Sequence, residues 1–261
     1  MKTGYVQTSP VFGNKDKNFS QVRELLSGVK ADLIVLPELF ATGYTFVSRE
    51  EAFRNSESTK DRTFHFLVEM SEKTGAAVVG GFIELENNKI YNSSMMVFGD
   101  KLIGVYRKLH LFYKENSWFS PGDIPLKVYE VNGYKIGVMI CFDWVFPEVM
   151  RSLALLGAEV IAHPSNLVMP YCQDFMRARC FENRVFAVTA NRTGRETRGE
   201  DDFIFTGSSQ VTSFDGTVLR YAPSDKIHVD VIDIDIQQAN NKKINSVNDL
   251  FLNRRPEYYK I

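Results

Sequence analysis

Short apolar runs rich in valine and isoleucine alternate along the chain with longer segments in which apolar residues recur at helical spacing. The run ADLIVLPE is typical of a buried strand. The segment from Val22 to Val29 ahead of it places its apolar side chains on one helix face, with Asn18 or Ser20 as the predicted cap. This alternation predicts a layered α/β fold.

Turn residues in the second half of the chain limit the sheet arrangement. Asn132-Gly133 separates the apolar runs LKVYEV and KIGVMICF, which is a strong hairpin signal. Asp215-Gly216 marks a further turn near the C-terminal end. Two stacked sheets with helices outside them explain these hairpins better than one fully parallel sheet would.

The composition suits a chain with a sizeable core. Of the 261 residues, 44% are hydrophobic and 24% are charged. No linker rich in proline, serine and glycine, no low-complexity run and no internal repeat divides the sequence. We therefore expect a single domain over residues 1–261, with two smaller domains as the alternative.

Basic and acidic residues are mixed along the whole length and leave a formal net charge of -1. This balance argues against nucleic acid or an anionic membrane as the main partner. No window approaches the roughly 20 apolar residues that span a bilayer, and the first residues lack an apolar core behind a basic start. We expect a cytoplasmic protein that has no nucleic-acid or membrane partner.

The cysteines and histidines do not have the spacing of metal ligands. Cys141, Cys172 and Cys180 form no CxxC pair, and the four histidines form no HxxxH or HxH pair. The chain also lacks the GxGxxG pattern of dinucleotide-binding loops. We expect reduced thiols, no metal and no cofactor.

Polar residues follow three of the predicted strands, at the positions where α/β proteins tend to place their chemistry. These residues are Glu38, Lys108 and Cys141. Each has a structural alternative: a carboxylate paired with a neighbouring cation, a solvated lysine with a buried stem, and an inert small hydrophobe. Of the adjacent cations Arg107 and Lys108, one is expected to point outward and the other inward.

A thiol, a carboxylate and an ammonium are together the groups that covalent hydrolysis of an amide requires. A free thiol titrates near about 8.5, so it needs a base or a positive charge close by to attack at neutral pH. Glu38 is a candidate base for Cys141, and Lys108 is a candidate for stabilising the oxyanion that forms when sulfur adds to a carbonyl. Together the three residues predict a covalent amide hydrolase.

The blocks around these residues, LPELFATGY, YRKLHLF and GVMICFDWVFPE, resemble those of the nitrilase superfamily of carbon-nitrogen hydrolases. The resemblance covers nearly the whole chain, in the family's order, and is especially close to the short microbial nitrilase-like members. It implies a four-layer α-β-β-α sandwich. It also implies a homodimer or higher homo-oligomer, with the helix from Pro147 to Leu156 and the C-terminal tail at the interface.

The resemblance also implies roles for individual residues. Glu38 would be the general base, Lys108 the oxyanion stabiliser and Cys141 the nucleophile, exposed by a sharp strand-to-helix turn. Glu115 matches the family's second glutamate, which orients the lysine or the substrate; its alternative is a surface loop carboxylate. The backbone N–H of Phe142 would be a second oxyanion donor.

Further residues lie in blocks that line the substrate pocket in the family. These candidate substrate contacts are Tyr44, Phe119, Trp144, Asn166 and Leu167. The aromatic side chain of Trp144 favours a small, largely uncharged amide or nitrile. Asp143 is expected to bond backbone groups of the turn rather than the substrate.

The predicted reaction is hydrolysis of a non-peptide carbon-nitrogen bond in a small amide or nitrile, through a cysteine thioester or thioimidate, to a carboxylic acid and ammonia. Family members that act on N-carbamoyl amino acids often carry arginine just after the cysteine, where this chain has FDW at 142–144. Arg177, Arg179 or Arg192 could still bind a carboxylate from other loops. An N-carbamoyl amino acid or amine amidohydrolase and a non-catalytic, thiol-bearing interaction module are the alternatives.

Overall fold

Two mixed β-sheets pack face to face, and helices cover the outer face of each sheet. The computed structural model describes residues 1–259. Positions 260 and 261, at the end of the predicted domain, lie outside the described residues.

The elements have the following bounds. The strands are β1 (Lys2–Gln7), β2 (Leu33–Val35), β3 (Ala77–Glu86), β4 (Lys89–Phe98), β5 (Lys101–Arg107), β6 (Val128–Val131), β7 (Tyr134–Val138), β8 (Val160–Pro164), β9 (Phe186–Ala190), β10 (Thr193–Arg198), β11 (Asp201–Thr206), β12 (Gln210–Thr212), β13 (Val218–Tyr221) and β14 (His228–Asp233). The α-helices are α1 (Lys15–Leu25), α2 (Arg49–Arg54), α3 (Arg62–Thr74), α4 (Glu115–Trp118), α5 (Pro147–Leu155) and α6 (Cys172–Asn183). Short 3₁₀ helices lie at Cys141–Val145, Ile236–Asn240 and Pro256–Tyr258.

The first sheet has the strand order β14-β1-β2-β3-β4-β5. Its central strands β1, β2 and β3 are parallel, and antiparallel strands flank them. Helices α1 and α3 cover its outer face, where Phe19 and Phe66 stack with ring centroids 4.2 Å apart. Each buried side chain of this size contributes roughly 1.5–3 kcal/mol of hydrophobic stabilisation.

The second sheet has the order β13-β12-β9-β8-β7-β6, with β7, β8 and β9 parallel. The predicted hairpin is confirmed: Val131 of β6 pairs with Tyr134 of β7, and both turn residues, Asn132 and Gly133, have positive φ angles. Helices α5 and α6 cover the outer face of this sheet.

Apolar side chains from the inner faces of both sheets form one continuous core. Val35 and Val79 of the first sheet pack in the same cluster as Val138, Ala162 and Val188 of the second. The layers therefore follow the order helix, sheet, sheet, helix. The prediction of a four-layer α-β-β-α sandwich is confirmed.

The start of the first helix differs from the prediction. Asn14 is the cap, and its side chain accepts a hydrogen bond from the N–H of Lys17. Asn18 is buried inside the helix, where its side-chain amide donates to the carbonyls of Val11 and Ala41. The prediction of Asn18 or Ser20 as the cap was wrong. The side chain of Asn18 instead forms hydrogen bonds with backbone carbonyls outside the helix, at Val11 and Ala41.

A two-stranded antiparallel ribbon, β10 with β11, was not predicted from the sequence. Its strands carry many charged residues, so they lack the apolar pattern of a core strand. Long-range contacts hold the ribbon instead: Lys114 donates to Asp201 at 2.9 Å, and Glu196 accepts the backbone N–H groups of Tyr44 and Thr45 at 3.0 and 2.7 Å.

Among residues 1–259, no helix combines the length and the apolar character that crossing a membrane requires.

Gly81 on β3 allows the backbone of Glu38 to lie directly against the sheet. A methyl group at position 81 would stand 2.6 Å from Cα of Glu38. We expect Gly81→Ala to lower the free energy of unfolding, measured by urea denaturation, by about 2 kcal/mol or more, because the backbone of Glu38 must shift. Gly28→Ala, with φ of 74° and no atom within 4 Å of the added methyl, is the control and should lose only about 1 kcal/mol. Equal losses would contradict the close packing at Gly81.

Candidate active site

Glu38 lies in the interior, three residues after the end of β2. The N–H of Leu36 still donates to β3, at 2.8 Å, and the carbonyl of Pro37 accepts from the N–H of Gly81 at 3.2 Å, but Pro37 has no N–H of its own to donate. The carboxylate of Glu38 is fully buried. Its Oε1 accepts from Nζ of Lys108 and from Nδ2 of Asn92, both at 2.7 Å. Its Oε2 has no hydrogen-bond partner among the described residues.

Lys108 lies one residue beyond β5, and two carboxylates enclose its ammonium. Nζ donates to Oε1 of Glu38 at 2.7 Å and to Oε1 of Glu115 at 2.8 Å. The side chains are 0%, 0% and 3% exposed, so these contacts are made away from water. Burial acts to lower the pKa of Lys108, but the charges of Glu115 and Glu38 raise it by more, so the side chain is an ammonium at neutral pH.

Glu115 is the first residue of α4 and is buried, unlike the surface carboxylate of the alternative interpretation. Its Oε1 accepts a second hydrogen bond, from the hydroxyl of Tyr44 at 2.6 Å. Burial and the charge of Glu115 raise the pKa of Tyr44 well above its usual value, so its hydroxyl stays a neutral donor. Tyr44 therefore fixes the carboxylate that in turn holds Lys108.

Two carboxylates share one ammonium in this cluster, so one negative charge remains uncompensated. This excess negative charge affects the proton affinity of Glu38. Burial, and after it the charge of Glu115, raise the pKa of Glu38 above the ordinary value of 4.5, although Lys108 acts in the opposite direction. A carboxylate with a raised pKa is a stronger base than an exposed one.

Arg107 is buried as well, which corrects the expectation that one cation of the adjacent pair points outward. Its guanidinium donates to Glu84 at 2.6 Å and to Asp123 at 2.7 Å, and it stacks over the ring of Tyr91. These partners compensate the lost hydration of Arg107, so both cations can lie inside.

Cys141 lies at a sharp turn between β7 and the 3₁₀ helix Cys141–Val145. Its φ of 41° is in the left-handed region, which a residue with a side chain rarely adopts. Burial and the charge of Glu38 raise the pKa of the thiol, while Lys108 and the backbone N–H of Asn166 lower it by less. The resting side chain is therefore a protonated thiol at neutral pH.

His163 on β8 supports this turn from behind. Its Nε2 lies 3.0 Å from the carbonyl oxygen of Cys141, and its Nδ1 lies 3.1 Å from the hydroxyl of Thr189. Burial lowers the pKa of His163 to about 4, so the ring is neutral and donates from Nε2 to the carbonyl. His163 is thus a packed, hydrogen-bonded imidazole.

A small cavity opens beside Cys141. Trp144, Asn166 and Leu167, three of the predicted substrate contacts, line it. The sequence analysis missed other lining side chains, namely those of Phe112, Phe142, Val168 and Met169. Their side chains make the wall mainly apolar and aromatic.

Two predicted substrate contacts are elsewhere. Tyr44 lines a second small cavity that also reaches Glu115. Phe119 lines neither cavity; it packs edge-on against Phe46, with ring centroids 6.2 Å apart, in a separate apolar cluster. Its contact with substrate stays a prediction; in this structure its side chain packs within that cluster.

The three candidate arginines do not line the cavity beside Cys141. Arg177 donates to the carbonyl of Gly216, and Arg179 donates to the carbonyl of Trp144, both at 3.2 Å. Arg192 is buried against Glu196 at 3.0 Å. Each guanidinium therefore already has a structural partner.

Asn92 on β4 is the clearest contact that the sequence analysis missed. Its side chain donates to Glu38 at 2.7 Å and lies 3.4 Å from Oε2 of Glu115. An asparagine inside the apolar run IYNSSMMVF was the available signal, because a buried amide requires polar partners.

The arrangement places a carboxylate, an ammonium and a thiol in one buried cluster. Within residues 1–259, no group of three or more His, Cys, Asp or Glu side chains is placed to hold a metal ion. The chemistry that these side chains themselves offer is proton transfer and nucleophilic attack by sulfur.

Comparison with known proteins identifies the family. The sequence model of the family "Carbon-nitrogen hydrolase" matches residues 2–243. A nitrilase from Pyrococcus abyssi is 45% identical over 99% of both chains, and an (R)-stereoselective amidase from a Pseudomonas species is 33% identical over 95% of this chain and 91% of its own. The crystal structure of a carbon-nitrogen hydrolase from Helicobacter pylori G27 has the same fold, with a TM-score of 0.86 and 24% identity over 99% of this chain and 96% of that one. The chain thus belongs to the carbon-nitrogen hydrolase family and is an enzyme of the nitrilase and amidase type.

Proposed function

We propose that this enzyme hydrolyses small, uncharged amides or nitriles through a covalent intermediate on Cys141. The observation that carries the proposal is the fully buried ammonium of Lys108, held between Glu38 and Glu115 and close enough to the thiol for its charge to lower the thiol pKa. A buried cation beside a thiol and a carboxylate with raised pKa has a direct use in hydrolysis.

In the first step, Sγ of Cys141 attacks the carbonyl carbon of the amide while the thiol proton moves to Glu38. The unpartnered Oε2 of Glu38 is the oxygen available for that proton. Because both groups have raised pKa values, the proton moves as the sulfur attacks rather than beforehand.

The negative charge that forms on the substrate oxygen needs stabilisation. Lys108 provides a permanent positive charge, and the backbone N–H of Phe142, the first after the nucleophile in the 3₁₀ helix, is the second proposed donor. Glu38 then gives its proton to the leaving nitrogen, the carbon-nitrogen bond breaks, and ammonia leaves a thioester on Cys141.

In the second step, Glu38 takes a proton from water, whose oxygen attacks the thioester. The carbon-sulfur bond breaks, the thiol regains a proton, and a carboxylic acid leaves. A nitrile would add the thiol to give a thioimidate and would consume one further water molecule. The same three side chains act in both routes.

The cavity wall limits the acyl group. Its lining side chains, Phe112, Phe142, Trp144, Leu167, Val168 and Met169, are apolar or aromatic, and Asn166 adds one amide. The candidate arginines have other partners, so the alternative of an N-carbamoyl amino acid is disfavoured: its carboxylate would lack a cation. A non-catalytic, thiol-bearing module is disfavoured too, because it would not require the buried cluster of Lys108, Glu38 and Glu115.

We also propose a homodimer. Large apolar side chains remain exposed at the end of α5, on α6 and in the C-terminal tail, among them Leu156, Phe181 and Leu252. Sedimentation equilibrium should give at least twice the mass of one chain. A monomer at micromolar concentration would contradict the proposal.

The reaction is tested by ammonia release from a panel of small aliphatic and aromatic amides, ω-amides, carbamoyl amino acids and nitriles. We expect turnover of uncharged amides or nitriles and a fall of at least about 10³-fold in Cys141→Ala, because the covalent route is lost. Cys180→Ala, which removes another buried thiol, is the matched control and should keep the wild-type rate. Equal activity in Cys141→Ala would overturn the role of the nucleophile.

The pH dependence of kcat/KM tests the base. Glu38 acts only when ionised, so activity should fall as the pH drops through its pKa, at a midpoint above 4.5. Glu115→Gln should move this midpoint to lower pH, because the charge of Glu115 raises the pKa of Glu38. Glu38→Gln should lose about 10²–10⁴-fold in rate. A near-wild-type rate in Glu38→Gln would contradict the assignment of Glu38 as the general base.

A further inference from the structure

Asp143 is a buried carboxylate that lies two residues after the proposed nucleophile, and it accepts four hydrogen bonds. Its Oδ2 accepts from the hydroxyl of Tyr106 at 2.7 Å and from the backbone N–H of Ile140 at 2.9 Å. Its Oδ1 accepts from the backbone N–H of His110 at 3.1 Å and from the ring Nδ1 of the same residue at 2.8 Å. Bonding within the turn was predicted from the sequence; the bonds to Tyr106 and His110 were not.

These donors come from two segments that are distant in sequence. Tyr106 and His110 stand two residues before and two residues after Lys108. Ile140 directly precedes Cys141 and follows β7 of the second sheet. One carboxylate therefore joins the chain on both sides of the lysine to the chain on both sides of the cysteine.

The ring of His110 adds a second link between the same segments. It stacks on Phe146, at the end of the 3₁₀ helix that starts with Cys141, with ring centroids 3.6 Å apart and the planes within 11°. The turn itself is in a conformation that a non-glycine residue rarely adopts, with φ of 41° at Cys141. Such a conformation persists only where surrounding contacts hold it.

We infer that Asp143 is a positioning residue that sets the placement of Cys141 relative to Lys108. The inference rests on the proposed function for the roles of those two residues. Asp143 would not touch the substrate. It would act by holding the thiol where the ammonium stabilises its anion, so loss of its carboxylate should reduce thiol reactivity as well as turnover.

Asp143→Asn is the sharpest variant because it keeps the shape of the side chain. The new –NH₂ group must face either the pair Tyr106 and Ile140 or the two donors of His110. In one orientation the backbone N–H of Ile140, and in the other that of His110, faces the new –NH₂ group and loses its acceptor. The two segments can then shift, although the packing around them is unchanged.

The first readout is the rate at which iodoacetamide alkylates Cys141 at pH 7, located by peptide mass spectrometry. We expect Asp143→Asn to be alkylated about tenfold more slowly than wild type, the change that accompanies a rise of about one unit in the thiol pKa. In turnover of an amide, kcat should fall about 10- to 100-fold while KM stays within about twofold, because a misplaced reacting group impairs the step and not the binding.

Glu159→Gln is the matched control. Glu159 is also a nearly buried carboxylate that accepts a backbone N–H, that of Lys135 at 3.0 Å, and a side-chain amide, that of Asn240 at 3.0 Å, but it lies at the other end of β8. We expect Glu159→Gln to lose stability without loss of alkylation rate. Thermal unfolding of both variants separates damage to the fold from misplacement of Cys141.

Tyr106→Phe removes one of the four donors and provides the second test. If Asp143 acts through this bridge, the alkylation rate should fall in Tyr106→Phe, by less than in Asp143→Asn, and the double variant should lose less than the sum of the two effects. Wild-type alkylation of Asp143→Asn, or effects that simply add, would overturn the inference. Absence of ammonia release by the wild-type enzyme would instead count against the proposed function, because alkylation needs no substrate.

Discussion

The buried ammonium of Lys108 is the interaction on which the rest of the site depends. It lies between Glu38 and Glu115, and all three side chains are removed from water. Loss of one partner from such a buried pair costs about 3–5 kcal/mol, because a charge is left without compensation. The fold must therefore bring three distant segments together before any of these charges can be buried. The same electrostatic balance that makes the cluster costly to assemble keeps Lys108 positive and raises the proton affinity of Glu38.

The site forms where the two sheets meet at one rim. β2 and β5 of the first sheet deliver the carboxylate and the ammonium, and β7 of the second sheet delivers the thiol. Packing of the two inner faces sets the coarse distance between these groups. Specific polar contacts across the layers set it more finely: the amide of Asn166 donates to the backbone carbonyl of Glu38 at 2.9 Å, and Asp143 bonds both segments. The packed sandwich and the hydrogen bonds across it together place the side chains of Glu38, Lys108 and Cys141.

The layered fold and the positions of the polar residues could be predicted from the sequence, because both depend on patterns among residues that are close together in the chain. Alternating apolar patterns and the Asn-Gly turn predicted the layers and the hairpin, and polar residues after buried strands indicated where chemistry would lie. What failed depends on contacts between residues far apart in the chain. The cap at Asn14 and the charged ribbon β10–β11 are decided by partners that no local pattern specifies. The burial of Arg107 was missed for the same reason, since its carboxylate partners lie on β3 and in the loop after α4.

The central claim is that hydrolysis passes through an acyl group on sulfur. It is tested most directly by adding hydroxylamine during turnover of an amide and a methyl ester that share one acyl group. If both form the same thioester, hydroxylamine should divert the same fraction of product to the hydroxamate from either substrate, whatever the leaving group. A fraction that changes with the leaving group, or no hydroxamate at all, would mean that water attacks the substrate directly and would contradict a covalent role for Cys141.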